Sequence, residues 1–276
     1  MSLNPPGPAW LFCPADRPDR YSKAAAAADV VIIDLEDAVA GPDKPAARTA
    51  LAAAAAGLDP ARTVVRVNAA GTADHSADLE LLAGTPITAV MLPKAETAAQ
   101  VTALADHQVI ALIETPAGAL AAPEIAAADN LAGMMWGAED LIAGIGGTGS
   151  RGPGGGYRDV ARHVRARVML AAAAHGKWAL DAVHVDIGDL DGLRAEAEDA
   201  VGSGFAGTVC IHPRQAAVVR AAYRPGDDEV DRARRLLAAA EGQGGVFAFD
   251  GAMVDAPVLR HAEAVLRRAA AGGPDT

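Results

Sequence analysis

Cysteine is almost missing from this chain: only Cys13 and Cys210 occur in 276 residues, and both sit inside apolar runs. That pattern excludes a secreted disulfide scaffold and reads as two buried free thiols in a reducing compartment. No basic run of any length is present and the formal net charge is −11, which excludes the electrostatic footprint of a nucleic-acid binder. A local group of arginines can still hold a small anion within that field. No stretch approaches 18 uninterrupted apolar residues, and the first residues lack a basic segment followed by an apolar one. Neither a membrane span nor a signal peptide is expected, and the expected location is the cytoplasm. What the chain does have is apolar side chains, 51% of residues against 21% charged, enough for a substantial core and too many for disorder. Its many alanines favour helices on propensity alone.

Eight short apolar runs recur along the chain, at residues 9–13, 30–37, 63–68, 89–94, 109–114, 133–140, 177–183 and 207–213. They are continuous instead of alternating, the mark of strands buried on both faces and hence paired in parallel. Helical stretches lie between them. The clearest is 159–174, with Val160, Val164 and Val168 on one stripe. Eight β-α units in a row predict a TIM barrel, and one domain of this type accommodates the length. A doubly wound open sheet is the alternative, disfavoured because every strand ends in a polar or charged residue and no single crevice is singled out.

In a barrel those strand ends form the active lip. Gathered there are Asp16, Arg17, Glu36, Asp37, Arg66, Asn68, Lys94, Glu114, Asp140, Asp181 and His212. Two of the acids, Glu114 and Asp140, end neighbouring apolar runs. A bare carboxylate in that position is costly unless something cationic meets it, and two of them can share a hard cation such as Mg2+. The plainer reading makes each acid a cap for the helix after it. Arg66 interrupts an apolar strand and needs an anionic partner; a substrate carboxylate held by both arms of its fork is one candidate. Glu36 and Asp37 are expected to pair with Lys44 or Lys94 as structural ion pairs, while Asp181 and His212 are equally well supporting or folding residues. The glycine-rich stretch 144–156 lacks the strand-turn-helix context of a dinucleotide fingerprint and reads as a mobile loop over the mouth.

The motifs Phe12-Cys13-Pro14-Ala15-Asp16-Arg17, Asp34-Leu35-Glu36-Asp37-Ala38-Val39, Val65-Arg66-Val67-Asn68, Met91-Leu92-Pro93-Lys94, Ile113-Glu114-Thr115, Trp136-Gly137-Ala138-Glu139-Asp140-Leu141 and Ile211-His212-Pro213 carry a resemblance. In order and register the chain resembles the citrate lyase β-subunit family, within the wider group of HpcH/HpaI aldolases and acyl-CoA lyases. The resemblance implies a Mg2+-dependent carbon–carbon lyase acting on a β-hydroxyacyl-CoA thioester of the malyl-, citramalyl- or 3-hydroxy-3-methylglutaryl type. It places the Mg2+ ligands on Glu114 and Asp140 and the substrate arginine on Arg66, with Glu114 also among the catalytic and substrate-binding groups. A C-terminal segment of such lyases covers a neighbouring subunit's site and carries an aspartate; here it matches residues 247–257 and Asp255.

Arg17, Arg20 and Lys23 are the candidate cations for the CoA phosphates, with ordinary surface solvation as their other explanation. The organisation expected is a barrel over residues 1–225 and a helical lid extension over 226–276, working as a homo-oligomer, a trimer or a multiple of one. Folding of the tail back over its own barrel is the rival arrangement. The alternative function is a citryl-carrier lyase subunit inside a citrate lyase complex.

Overall fold

Runs of Val, Ile, Leu and Met that are apolar at every position cannot face water on either side, so they bury one another. The computed structural model, which describes residues 5–271, shows them as β1 (Ala9–Pro14), β2 (Val30–Asp34), β3 (Thr63–Arg66), β4 (Ala89–Leu92), β5 (Gln108–Ile113), β6 (Leu131–Trp136), β7 (Trp178–Asp181) and β8 (Gly207–Cys210). They pair in sequence order into a closed barrel, and β8 returns to β1 with Val209 opposite Trp10. Closure rules out the open doubly wound sheet and gives the TIM fold. Several strands stop short of the expected ends. β2 ends at Asp34, not Asp37, and β6 ends at Trp136, not Asp140.

The helices around the barrel are α1 (Tyr21–Ala27), α2 (Lys44–Ala54), α3 (Ala73–Leu82), α4 (Ala98–Thr102), α5 (Pro116–Leu120), α6 (Ala122–Ala126), α7 (Ala138–Gly144), α8 (Asp159–Ala174), α9 (Leu190–Gly202) and α10 (Pro213–Tyr223). Their starts follow local chemistry. The hydroxyls of Thr72, Thr97 and Thr115 accept from the backbone N–H three residues on, and Thr97 with Gln100 completes a reciprocal cap. In α8 the expected stripe is buried at Val164 and Val168, while Val160 in the first turn is exposed. No helix among the described residues is long and apolar enough to cross a membrane. Both cysteines are free and buried.

Alternate strand residues point inward and fill the barrel. Trp10, Ile32, Val64, Met91, Ile110, Leu112, Met135, Leu180 and Val209 belong to one buried cluster, with Phe12, Trp178 and Val183 packed against it. The rings of Trp10 and Trp178 lie 5.4 Å apart. Gly133 on β6 is what makes this possible, because a Cβ there would lie 2.3–2.4 Å from atoms of the Trp178 ring. Gly133→Ala is therefore expected to cost about 2–3 kcal/mol through overpacking, lowering the thermal midpoint by roughly 5–10 °C. An unchanged melting curve would mean that the ring has room to move aside.

The contacts divide the chain into two units, up to Val219 and from Arg220 on. The second unit holds α11 (Asp227–Ala240), β9 (Phe247–Phe249), β10 (Ala252–Val254) and α12 (Ala256–Ala271). β9 and β10 form an antiparallel hairpin turned at Asp250 and Gly251, both left-handed at φ 51° and 78°, the conformation that suits the twist of a two-residue hairpin. Val230, Ala233, Leu236, Val254, Ala262 and Val265 make this unit's own core, with Phe247 and Phe249 against it. Met253, whose neighbours in β10 pair with the phenylalanines, is 70% exposed. Of the expected spans 1–225 and 226–276, residues 1–4 and 272–276 lie outside the described residues.

Candidate active site

The inward alternation does not stop where the apolar cluster ends. Two residues beyond Ile32 stands Asp34, two beyond Val64 stands Arg66, two beyond Leu112 stands Glu114, and two beyond Met135 stands Gly137. The layer above the core is thus ionic, built by the same period of two that built the core. Asp34 and Arg66 are register partners across β2 and β3. Asp34, fully buried, accepts from Arg66 Nε and Nη2 at 2.7 and 2.6 Å. It also takes the backbone N–H groups of Glu36 and Ala38, at 2.9 and 3.0 Å. The Arg66 guanidinium carbon lies 4.6 Å over the Phe12 ring.

The anionic partner that an arginine in an apolar strand requires is therefore supplied by the chain itself. The side-on edge of Arg66 is spent on Asp34, and a substrate can be met only by the outer Nη edge. Nη1 lies 3.1 Å from Glu36 Oε2, close but not aligned as a hydrogen bond.

Lys94 ties the acids together. Its ammonium pairs with Glu36 and lies 3.6 Å from Asp37 and 3.8 Å from Glu114. Burial pulls this ammonium's pKa down, but the Glu36 bond and the charges of Glu36, Glu114 and Asp37 outweigh it and raise it to about 12. Lys94 has a left-handed backbone, φ 50°, and its N–H donates to Glu114 Oε1 at 3.0 Å. Lys44, the other cation considered for Glu36, instead donates to the carbonyls of Leu35 and Glu36 and to the Asn68 side chain.

Glu114 is 3% exposed. Burial pushes its carboxyl up to about 8; Lys94 and Arg66 oppose the rise, and the charges of Glu36 and Asp140 add to it. Its capping role falls away, because Thr115 accepts from Gly118 N–H at 3.1 Å and starts α5. Asp140 is not on the strand end. It is the third residue of α7, exposed, in a first turn that Gly137 begins without a side-chain cap. The two carboxylates are close enough to repel, and a divalent cation would relieve that repulsion. Among the described residues no group of three or more His, Cys, Asp or Glu side chains could hold a metal. A pair of acids suits Mg2+, which is bound through one or two carboxylates and keeps water or substrate at its other positions.

The remaining candidates sit elsewhere or are already engaged. Arg17 is bonded to Asp19 at 3.1 Å through Nε and through Nη2, while Arg20 and Lys23 are exposed around the start of α1. Asp255 belongs to the second unit, at the start of α12, where Oδ1 accepts from Val258 N–H at 3.4 Å. Asp181 is held by Trp136 Nε1 at 2.6 Å and by Arg165, and His212 Nδ1 accepts from Arg214 N–H at 3.2 Å; both have structural work. The glycine-rich stretch is held at Ser150 and Arg151 and just beyond its end at Tyr157. Ser150 donates to Glu139 at 2.5 Å, Arg151 pairs with Glu196 and covers the Tyr157 ring, and Tyr157 meets Trp136 edge-on at 5.0 Å. Residues 144–148 and 153–156 of the stretch are exposed throughout.

Two residues of the site escaped the sequence reading. Asp34 lay inside the run 30–37 and Gly137 inside the run 133–140, and neither stood out there. Counting the inward period along each run, from Ile32 and from Met135, finds both.

The HpcH/HpaI aldolase/citrate lyase profile matches residues 9–213, and a profile of carbon–carbon bond lyases of the TIM-barrel fold matches residues 159–273. The chain is 64% identical over 269 residues to the citrate lyase subunit beta-like protein of Mycobacterium tuberculosis, covering 98% of each. It is 34% identical to the L-malyl-CoA/beta-methylmalyl-CoA lyase of Cereibacter sphaeroides, covering 96% of this chain and 95% of that one. A crystal structure of M. tuberculosis CitE with magnesium, acetoacetate and coenzyme A superposes with a TM-score of 0.91 at 64% identity, covering 96% of this chain and 98% of that one. With its closed barrel and ionic lip, the chain belongs to the HpcH/HpaI aldolase/citrate lyase family and is a carbon–carbon lyase.

Proposed function

We propose that the chain is a Mg2+-dependent β-hydroxyacyl-CoA lyase that cleaves a malyl-, citramalyl- or 3-hydroxy-3-methylglutaryl-CoA-type thioester to a shorter acyl-CoA and a keto acid. The observation that carries this reading is a largely buried, pre-aimed arginine set in one layer with Glu114, whose carboxylate feels the charge of Asp140 from the first turn of α7. Glu114 and Asp140 are the proposed ligands. When bound there, Mg2+ supplies Lewis-acid polarisation of the substrate's hydroxyl and carboxylate oxygens. Cleavage passes the hydroxyl proton to water, breaks the adjacent carbon–carbon bond and leaves its electron pair on the thioester as an enolate. The outer edge of Arg66 faces that developing negative charge from a site where Asp34 prevents it from turning away. Asp255 then gives the enolate carbon its proton, and Arg17, Arg20 and Lys23 hold the CoA phosphates. The working form is a cytoplasmic homo-oligomer, a trimer or a multiple of one, with Asp255 delivered across a subunit boundary.

The test is direct. The purified chain, with Mg2+ and no partner protein, is given the three thioesters while keto acid and free CoA are followed separately. Release of keto acid with acyl-CoA intact supports a free-standing lyase. Turnover only when citrate lyase partner subunits are added would move the reading to a citryl-carrier lyase subunit.

Two further results are expected. First, Glu114 carries a proton below about pH 8 that a cation must displace, so Mg2+ affinity should rise roughly tenfold per pH unit up to about 8 and then level. The sign for stability follows. A carboxyl raised from 4.5 to about 8 stabilises the fold below its ordinary range, and that contribution is lost as pH climbs through 8. Melting curves with and without Mg2+ across pH 5–9 read both, and flat curves would count against the Glu114 assignment. Second, Asp255→Asn and Glu114→Gln proteins, each inactive, should regain partial activity when co-refolded into mixed oligomers. No recovery in oligomers proven to be mixed would place the Asp255 segment over its own barrel.

A further inference from the structure

Gly137 stands next after the register pair Ile113–Trp136 and donates its N–H to the Ile113 carbonyl at 3.0 Å. Its inward position is thus level with Glu114 on the neighbouring strand. Its backbone, φ −118° and ψ 119°, is ordinary extended chain that any residue adopts, so freedom of φ does not explain a glycine here. Space does. A Cβ at Gly137 would lie 2.8 Å from Glu114 Cβ and 2.9 Å from Glu114 Oε2, with the next neighbour, a Leu112 methyl, an unstrained 3.6 Å away. The carboxylate lies where a side chain at 137 would point. On its other side Glu114 Oε1 takes the N–H of Lys94, from the left-handed backbone described above.

We propose that Gly137 is a positioning residue for the metal: its missing side chain, opposite the Lys94 N–H, lets the Glu114 carboxylate lie level with β6 and face Asp140. This rests on the assignment of Glu114 and Asp140 as Mg2+ ligands. A methyl group at 137 meets Glu114 Cβ, which no change of rotamer moves, so it pushes the residue aside and turns Oε2 away from its place. Gly133, two steps of the inward alternation deeper on the same strand, makes room for an aromatic ring instead, so the two glycines separate stability from metal geometry.

The experiment measures Mg2+ binding by calorimetry and Mn2+ binding by paramagnetic resonance, both without substrate, on Gly137→Ala, with Gly133→Ala as control. Gly137→Ala is expected to weaken both cations at least tenfold, whereas Gly133→Ala lowers the melting temperature and leaves affinity of the folded protein unchanged. The same alanine is then placed in a Glu114→Gly background, where it meets neither Cβ nor carboxylate. There its cost in melting temperature should vanish. If Gly137→Ala alone fails to fold while the double variant folds, the clash with Glu114 is established by that fact. The proposal is overturned if folded Gly137→Ala binds metal like the parent, or if the alanine costs as much with Glu114 removed. Absence of Mg2+ and Mn2+ binding by the parent would instead overturn the metal assignment, and the melting cycle would still report on the pair.

Discussion

Asp140→Asn should remove nearly all lyase turnover while the barrel stays folded. The exchange keeps the size and hydrogen-bonding reach of the side chain and deletes one negative charge. Asp140 is exposed in the first turn of α7, so its structural contribution is a favourable meeting with the helix dipole, about 0.3–1 kcal/mol. A midpoint shift of only a few degrees is expected from that loss. As a ligand its contribution is far larger, because several kcal/mol of transition-state charge stabilisation depend on the cation it helps to hold. We expect kcat/KM to fall on the order of a thousandfold, with Mg2+ affinity falling in parallel. A variant that melts a few degrees lower and turns over normally would make Asp140 a helix-start acid and nothing more.

Arg66→Lys should be nearly as damaging despite conserving charge. Asp34 is fully buried and receives two parallel N–H donors from one planar group. A lysine ammonium cannot reproduce that fork, so one Asp34 oxygen keeps only its backbone donor and loses a charge-assisted one, at a cost of about 1–3 kcal/mol. The larger effect is on aim. Without the fork the cation is free to swing towards Glu36, and the donor facing the substrate is lost. Removal of a comparable preorganised donor costs roughly a hundred- to a thousandfold in kcat, and that loss is expected here, with kcat falling more than KM rises. Near-normal kinetics in the lysine protein would show that Arg66 serves the fold alone.

The barrel was legible because parallel strands buried on both faces leave continuous apolar runs, and eight of them spaced by alanine-rich helices admit few arrangements. The strand ends were read too long for a physical reason. Just beyond Asp34 and Trp136, at Leu35, Glu36 and Ala138, the chain is still buried, yet it has stopped pairing, and hydropathy registers burial alone. Asp140 was placed a full helical turn too early on that account. Arg66 announced itself as a cation in an apolar strand, but its partner was sought outside the molecule. The pairing with Asp34 depends on the register between β2 and β3, which no local pattern contains. Glu114 could be separated from a capping role only when Thr115 was seen to start α5. The space at Gly137 is a contact between neighbouring strands, and a single glycine in a sequence does not say what it makes room for.

Closure of the barrel has a consequence for how the protein is made. β1 pairs with β8, Trp10 opposite Val209, and Trp10 also meets Trp178 from β7. Neither contact can form until the ribosome has delivered most of the chain. At roughly 5–20 residues per second, β1 waits on the order of 10–40 s for its outer partner. Throughout that time an apolar strand presents an unpaired edge, the kind of surface on which nascent chains aggregate. Contacts so distant in sequence also slow folding. The yield of active protein should therefore be governed less by the stability of the finished barrel than by what shields its first strand during synthesis.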